Sequence, residues 1–272
     1  MTKRGGNLLV TLFIAACLLY AGYPASASGS PCEERGPNPR VFTRQEISWK
    51  QDSIKALPTG KRIAFWAEAF IGTPYDTDPL GAYVRSEKVV CDSEIDCMYL
   101  VFRAVELAMS GTPEGAEEKA LDLRFKTRGK VENGRVVNYE DRFDYAEDMI
   151  YSGKWGQDIT EDLGCTDLVS GSRGHGPVVY LPKSALLKPE SYNMLKDGDL
   201  VFFIKDPVKR AVGEIVGHLG IIKVESDRPV LIHGSGTKAN GNKPGGGVVK
   251  KSDLSEYLKN ARFIGVVVTR FQ

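Results

Sequence analysis

Residues 93–109, SEIDCMYLVFRAVELAM, have the pattern of a rigid helix that begins beside a cysteine. Ser93 followed three residues later by Asp96 matches a capping box, so the helix is predicted to begin there, with Cys97 in its first turn. Apolar residues recur at helical spacing after Cys97, which predicts one buried face. The positive end of the peptide dipoles favours thiolate over thiol at this position. A lone cysteine is also commonly a small buried hydrophobic residue, and the helix alone does not separate the two roles.

The composition is that of an ordinary globular protein. Of 272 residues, 42% are hydrophobic and 26% are charged, which suffices for one large domain or two small ones. The net charge of +1 gives no electrostatic basis for binding nucleic acid or an anionic membrane surface. The chain has no CxxC pair and no HExxH motif, so we expect no zinc site.

The N-terminus has the parts of a secretory signal peptide. Two basic residues precede an apolar run at 8–22, and the small residues Ala25 and Ala27 suit signal peptidase. We therefore expect a signal peptide at 1–27, an exported mature chain and no transmembrane span in it. The alternative is lipid attachment at Cys17, because IAAC at 14–17 resembles a bacterial lipobox.

Four cysteines follow this leader, namely Cys32, Cys91, Cys97 and Cys165. In an oxidising compartment they could form two disulfides, with three possible pairings. If Cys97 is a working thiol, only one disulfide can form among the other three. Cys91 could instead trap Cys97 in a regulatory disulfide.

The first part of the mature chain is predicted to be helical. Residues 28–42 are rich in Gly, Pro and charge and are expected to form an exposed arm. Helices are predicted at 43–56 and 61–71. The pattern weakens over 111–189, which we interpret as a helical and loop insertion with a charged helix at 139–151.

The C-terminal part changes to extended periodicity. A Gly-rich corner at 245–247 and a short helix at 252–258 precede the last run. Four short runs rich in Val, Ile and Phe predict an antiparallel sheet, at 199–204, 215–224, 230–233 and 263–271. Helices followed by strands predict a single α+β domain over 43–272, with the cysteine helix on one face of the sheet.

Two of the three histidines lie in the predicted sheet. A buried strand histidine is commonly a satisfied core residue, so the geometry of the pair matters. For His218 and His233 to meet across a hairpin, the turn must be centred between Glu225 and Ser226, or one residue later for a diagonal contact. The third, His175, stands between two glycines and is predicted to be an exposed loop residue.

A cysteine on a helix N-terminus facing a pair of imidazoles is the general plan of a nucleophilic cysteine hydrolase. In this plan Cys97 attacks a carbonyl carbon, and His218 takes the thiol proton and returns it to the leaving amine. His233 fixes the tautomer of the His218 ring. Backbone N–H groups near Cys97 and the hydroxyl of Tyr75 are candidate donors to the developing oxyanion.

Five segments resemble, in order, the signature segments of the NlpC-type papain-like hydrolases of bacterial peptidoglycan. They are GTPYD at 72–76, IDC at 95–97, DGDLVFF at 197–203, GHLGII at 217–222 and LIHGSG at 231–236. The resemblance covers residues 60–272. It implies a papain-like fold and a Cys-His-His triad of Cys97, His218 and His233. It also implies that Tyr75 lies near the nucleophile and that no metal or organic cofactor is needed.

The middle of the chain also resembles one branch of that superfamily, namely secreted Gram-negative proteins similar to N-acetylmuramoyl-L-alanine amidases. The segments concerned are LRFKTRGKV at 123–131 and YEDRFDYAEDMI at 139–150. This likeness implies a periplasmic enzyme, a peptidoglycan or muropeptide substrate, and cleavage of the amide between N-acetylmuramic acid and L-alanine.

Two departures from the family pattern bear on specificity. Many NlpC-type endopeptidases have a serine after the cysteine that helps bind a free amine, and this chain has Met98, which favours the amidase branch. Asp144 stands where the amidase branch has a histidine.

The candidate substrate contacts besides Tyr75 are Asp96, Arg142 and Tyr145. The alternatives are a stem-peptide endopeptidase, a transacylase and a non-catalytic module that binds the cell wall.

Overall fold

The computed structural model of the chain describes Cys32 and residues 41–272. The predicted signal peptide, the lipobox cysteine Cys17 and most of the predicted arm lie outside the described residues. The α-helices are α1 (Arg44–Ile54), α2 (Thr59–Ala69), α3 (Ala82–Arg85), α4 (Cys97–Ala108), α5 (Pro113–Leu123), α6 (Ala146–Ser152), α7 (Lys183–Leu186), α8 (Pro189–Tyr192) and α9 (Leu254–Asn260). Short 3₁₀ helices lie at Tyr139–Asp141, Glu161–Leu163 and Pro207–Lys209.

The strands form a mainly C-terminal, antiparallel sheet. They are β1 (Val131–Glu132), β2 (Arg135–Val136), β3 (Gln157–Asp158), β4 (Asp167–Val169), β5 (Val178–Pro182), β6 (Leu200–Lys205), β7 (Val216–Glu225), β8 (Arg228–Thr237), β9 (Gly246–Asp253) and β10 (Phe263–Arg270). Within residues 41–272, eight strands form one sheet in the order β4-β5-β10-β6-β7-β8-β9, with β3 beside β10. Its four predicted strands are the central neighbours β10, β6, β7 and β8, so the predicted α+β class and antiparallel sheet are confirmed.

The sheet has both faces buried, which explains why β6 is a continuous apolar run. Phe202 of β6 points into the larger core, which it shares with Trp66 of α2 and Phe102 of α4. Phe203 points into a second core on the opposite face, together with Leu258 of α9. Helix α4 packs on β7 and β8, as the sequence predicts.

Strand β9 corrects the prediction of a flexible corner at 245–247. Its GGVVKKSD sequence has little β-propensity at its start, yet all eight residues pair with β8. Strands β4 and β5 likewise lie in the region interpreted as insertion and loop. The predicted helix at 139–151 is a 3₁₀ turn followed by the shorter α6. Pairing with a neighbouring strand, which local sequence does not encode, decides these segments.

Helix α4 begins at Cys97, not at Ser93 as the capping pattern predicts. Asp96 is the N-cap, and its Oδ1 accepts a hydrogen bond from the backbone N–H of Tyr99 at 2.8 Å. Asp and Ser are comparable N-cap residues, and here Asp96, three residues before Tyr99, has the capping geometry. Cys97 is therefore the first residue of the helix.

A buried network of charges fixes the segment that leads into α4. Asp92 accepts two hydrogen bonds from Arg103, at 2.7 and 2.9 Å, and one from the hydroxyl of Tyr99 at 3.0 Å. Glu106 in turn binds Arg124 through two hydrogen bonds, at 2.5 and 2.7 Å. All four charged side chains are at most 5% exposed, so each carboxylate needs its guanidinium partner. The network holds the start of α4 in one position.

The disulfide pairing joins the N-terminal arm to the same segment. Cys32 is bonded to Cys91, while Cys97 and Cys165 are free thiols. Of the open alternatives, the structure therefore has the single disulfide that leaves Cys97 free. Cys91 does not trap the proposed nucleophile, because its sulfur is already bonded to Cys32.

The β7–β8 hairpin has the turn that the diagonal alternative requires. Ser226 and Asp227 both have positive φ, 48° and 61°, and Glu225 pairs with Arg228. Two central residues with positive φ are typical of a tight hairpin turn that matches the strand twist. The turn is centred one residue later than the direct register, so His218 and His233 lie diagonally across the hairpin.

Candidate active site

The thiol of Cys97 lies against strand β7. It is a partly buried side chain at the N-terminus of α4, and the backbone N–H of Leu219 in β7 is close enough to lower the pKa of the thiol. Leu219 directly follows His218 in β7. The first turn of the helix and the histidine strand therefore meet at the sulfur.

The two imidazoles are in direct contact. His218 Nε2 and His233 Nδ1 are 2.8 Å apart, and the rings meet edge to face at 86°. On its other side, His233 Nε2 is 3.1 Å from the hydroxyl of Ser252 in β9. This contact chain uses Nε2 of His218 and leaves Nδ1 of that ring for another partner.

Aromatic side chains enclose the imidazole pair. Phe263 stacks on the His218 ring at 6.4 Å, and Phe203 lies 5.8 Å from it. Tyr257 contacts the His233 ring edge to face at 5.0 Å. The enclosure restricts the orientation of both rings and limits the access of water to them.

Burial changes the protonation of the site. It lowers the pKa of His218 to about 4. The pKa of His233 falls to about 3, through burial and through the neighbouring His218. Burial and the Asp96 carboxylate raise the pKa of Cys97 to about 12, against the Leu219 hydrogen bond and the charge of Lys238. The expected preference for thiolate is therefore wrong for the free protein, because desolvation outweighs the helix dipole, and at neutral pH thiol and imidazoles are uncharged.

Two glycines of β8 allow the parts of the site to approach. A Cβ atom at Gly234 would lie 2.9 Å from the backbone nitrogen of Cys97. One at Gly236 would lie 2.2 Å from the ring of Tyr75. Any larger residue would push the helix start or the tyrosine away from the sheet. This is a physical reason for the glycines in LIHGSG.

Backbone pairing places Tyr75 beside the thiol. The N–H of Tyr75 donates to the carbonyl of Gly247 at 3.0 Å, and Pro74 forms a bridge with Val248 of β9. The side chain is 8% exposed, and burial together with the nearby Cys97 raises the pKa of its phenol. The hydroxyl therefore stays protonated and can donate a hydrogen bond.

Three residues near the site were not predicted from the sequence. The sequence predicts Ser252 only as the start of a helix, and it gives no functional signal for Tyr257 or Lys238. Tyr257 lies close enough for the charge of Cys97 to contribute to its raised pKa. A period-2 reading of 246–253 would have put Ser252 on the same strand face as Lys250, but the weak strand signal concealed it.

The predicted substrate residues Arg142 and Tyr145 lie in another cluster. Arg142 binds Asp144 at 2.7 Å, and the guanidinium of Arg173 lies 3.2 Å from the centre of the Tyr145 ring. Within the described residues, neither of these two contacts involves the thiol or the imidazole pair. Their contact with substrate stays a prediction.

The loop residue His175 is not fully exposed, contrary to the prediction. Its Nε2 is 2.9 Å from Asp148 Oδ1, and its ring stacks on Tyr151 at 4.2 Å. Long-range packing of the loop against α6 gives it these partners, which a glycine-flanked position does not reveal.

An open groove adjoins the imidazole pair. It has a volume of about 630 Å³ and is lined by Ser252, Tyr257, Phe263 and neighbouring residues of α9. Among Cys32 and residues 41–272 there is no cluster of three or more His, Cys, Asp or Glu placed to bind a metal ion. No helix in this part of the chain has the length and apolarity to cross a bilayer.

Comparison with known proteins defines the fold. No protein family model and no curated protein matches the chain. An N-acetylmuramoyl-L-alanine amidase from Bacteroides uniformis is similar in structure, with 23% identity, a TM-score of 0.58 and coverage of 79% of this chain and 99% of that one. A Legionella pneumophila protein described as DUF1460 has 15% identity and a TM-score of 0.60, over 83% and 93% of the two chains. A putative xylanase from Bacteroides fragilis has 21% identity and a TM-score of 0.58, over 76% and 100%. The chain therefore has the α+β fold of these proteins.

Proposed function

We propose that this protein is an exported cysteine amidase of the NlpC papain-like type. Its substrate is peptidoglycan or a muropeptide, and it cleaves the amide between N-acetylmuramic acid and L-alanine in the periplasm. The observation that carries the proposal is the 2.8 Å contact between His218 and His233, together with the effect of Leu219, the residue after His218, on the pKa of the Cys97 thiol. The structural neighbours described as muramoyl-alanine amidases support the choice of bond.

The uncharged resting state defines how the nucleophile is activated. Because thiol and imidazole are both neutral, the proton leaves Cys97 as its sulfur approaches the carbonyl carbon, with Nδ1 of His218 as the acceptor. His233 accepts a hydrogen bond from Nε2–H of His218 and so stabilises the imidazolium that forms. The new S–C bond shifts the carbonyl electron pair onto oxygen.

The oxyanion requires hydrogen-bond donors at the helix start. The backbone N–H of Cys97 belongs to the first turn of α4, where N–H groups lack helical partners. The protonated phenol of Tyr75 supplies a second donor. Collapse of the tetrahedral intermediate breaks the C–N bond, and the proton on His218 moves to the leaving amine.

A water molecule completes the reaction. His218 takes a proton from the water as its oxygen attacks the thioester carbon, and the C–S bond then breaks. The proton returns to sulfur, which regenerates the neutral thiol. The products are the free carboxylic acid of the sugar and a peptide with a free N-terminal amine.

Digestion of purified disaccharide-peptide muropeptides tests the proposal, with the products weighed by mass spectrometry. An intact sugar together with an intact peptide supports the amidase. A shortened stem peptide on the sugar would show an endopeptidase instead. Binding without turnover by the wild-type protein, equal to that of Cys97→Ala, would show a non-catalytic module. Products that depend on an added amine acceptor would show a transacylase.

A further inference from the structure

A lysine and two aspartates form a charged cluster near the proposed nucleophile. Lys238, the residue after β8, places its Nζ 2.8 Å from Oδ2 of Asp96, which precedes Cys97 in the chain. The same Nζ lies 4.0 Å from Oδ2 of Asp76 and 5.6 Å from the centre of the Tyr75 ring. An ammonium group of the protein therefore lies beside both carboxylates, near enough to the Cys97 thiol for the two groups to affect each other's pKa.

Each oxygen atom of the two carboxylates already accepts a hydrogen bond. Asp96 receives the backbone N–H of Tyr99 on Oδ1 and Lys238 on Oδ2. Asp76 receives backbone N–H groups on both oxygens, from Asp78 at 2.9 Å and from Ala82 at 2.8 Å. A second ammonium group, brought by a substrate, would have to displace Lys238 and would face its charge at close range.

The Lys238 ammonium itself is accessible and has donors to offer. Its side chain is 30% exposed, and an ammonium group has three N–H donors. One is directed at Asp96, while Asp76 lies beyond hydrogen-bond distance. A carbonyl or carboxylate oxygen of a bound substrate is a suitable acceptor for the others.

We propose that Lys238 determines specificity at the proposed nucleophile, because its ammonium group pairs with Asp96, which precedes Cys97 in the chain. It thereby selects substrates with an uncharged or anionic group at this position over substrates with a free ammonium group. The inference rests on the proposed function and adds to it the charge of the acyl group that the site accepts. An N-acylated amine or a sugar lactyl ether satisfies this condition. The free N-terminus of a trimmed stem peptide does not.

Binding of two matched peptides tests this assignment. The probes are L-alanyl-L-alanyl-γ-D-glutamate with a free N-terminus and the same peptide with an acetylated N-terminus. Titration calorimetry on the full chain carrying Cys97→Ala measures both dissociation constants without turnover. We expect the acetylated peptide to bind at least tenfold more tightly. Adding Lys238→Met should reduce the ratio to about one or reverse it, because Asp96 is then free to attract the ammonium group.

Two further variants separate the charge of Lys238 from its packing. Lys238→Arg keeps the cation and should keep the tenfold ratio. Lys243→Met makes the same change at an exposed lysine of the same loop and should also leave the ratio unchanged. If Lys238→Met does not fold, the ratio of the two dissociation constants in the Cys97→Ala protein still tests the proposal. The same ratio in the Lys238→Arg variant tests the role of the positive charge.

Several outcomes would overturn the assignment. They are tighter binding of the free-amine peptide, an unchanged ratio in Lys238→Met, and binding of neither peptide. Failure of the proposed function is read separately, from wild-type turnover of muramoyl-L-alanyl-D-isoglutamine. If the enzyme cleaves this compound but binds both peptides equally, the proposed function stands and the proposed role of Lys238 is wrong.

Discussion

His233 lies diagonally across the β7–β8 hairpin from His218, and its Nδ1 is 2.8 Å from Nε2 of that residue. The contact depends on the position of a two-residue turn at Ser226 and Asp227. Shifting the hairpin register by one residue would turn one imidazole to the other face of the sheet. The turn is therefore as important for the site as the histidines are.

Replacing Cys97 by alanine should abolish turnover and preserve the fold. The thiol is the only covalent nucleophile in the proposed mechanism, and loss of such a group generally lowers kcat by about 10⁴-fold or more. The measurement is muropeptide turnover together with a thermal unfolding curve. Cys165→Ala, which removes the exposed free thiol, is the control and should keep wild-type activity. Residual activity of Cys97→Ala near the wild-type level would remove the thioester from the mechanism.

The two histidines should differ in their contribution. His218→Ala removes the group that carries the proton and should lower kcat by several orders of magnitude. His233→Ala removes the group that orients the ring and should cost less. Steady-state kinetics of both variants on one muropeptide compares them. The reverse order would mean that the two roles are exchanged.

Removing the Ser252 hydroxyl should lower kcat about tenfold with little effect on KM, as expected for the loss of one hydrogen bond that holds a catalytic ring. Ser252 Oγ is 3.1 Å from His233 Nε2 and lies on the opposite side of that ring from His218. Ser252→Ala is compared with Ser252→Thr, which keeps the hydroxyl and should restore most of the rate. Equal losses in both variants would indicate a packing role instead.

Activity should persist to lower pH than an unperturbed histidine would permit. The general base must be neutral, and burial lowers the pKa of His218 from 6.5 to about 4. The acid limb of kcat/KM should therefore fall near pH 4, and activity should be constant from about pH 5 to neutrality. The apparent value belongs to the coupled imidazole pair, not to His218 alone. An acid limb at pH 6.5 would contradict the effect of burial on the imidazole pair.

Removing the disulfide should reduce stability without removing the site. Cys32 and Cys91 are 59 positions apart, and closing a loop of that size contributes about 4 kcal/mol to the free energy of unfolding in the chain-entropy model. Denaturant unfolding of the Cys32→Ser, Cys91→Ser double variant measures the loss. The Cys165→Ala variant should unfold like the wild type. An unchanged transition midpoint would mean that the Cys32–Cys91 bond does not stabilise the native state.

The local pattern of apolar residues was sufficient to predict the helices and strands that are determined by residues close in the sequence. Helices α1 and α2 and the four central strands follow from apolar periodicity, which acts over a few residues. The place of Cys97 in the first turn of its helix follows from the same kind of signal, although the cap is Asp96 and not Ser93. Local pattern does not predict strand β9, because pairing with β8, and not its own glycine-rich sequence, makes it extended.

The sequence by itself determined the first two helices, the cysteine helix, the four central antiparallel strands and the residues that could meet in a site. It also reduced the position of the hairpin turn to two possibilities, because the side-chain period of a strand is fixed. Only the tertiary structure chose between them and joined Lys238 to Asp96 across 142 positions of the chain. It also decided the charge of the site, since burial, which depends on every element packed around it, keeps the Cys97 thiol and both imidazoles neutral. Periodicity and caps act over short stretches of chain, whereas desolvation and contacts between distant residues exist only once the core has formed.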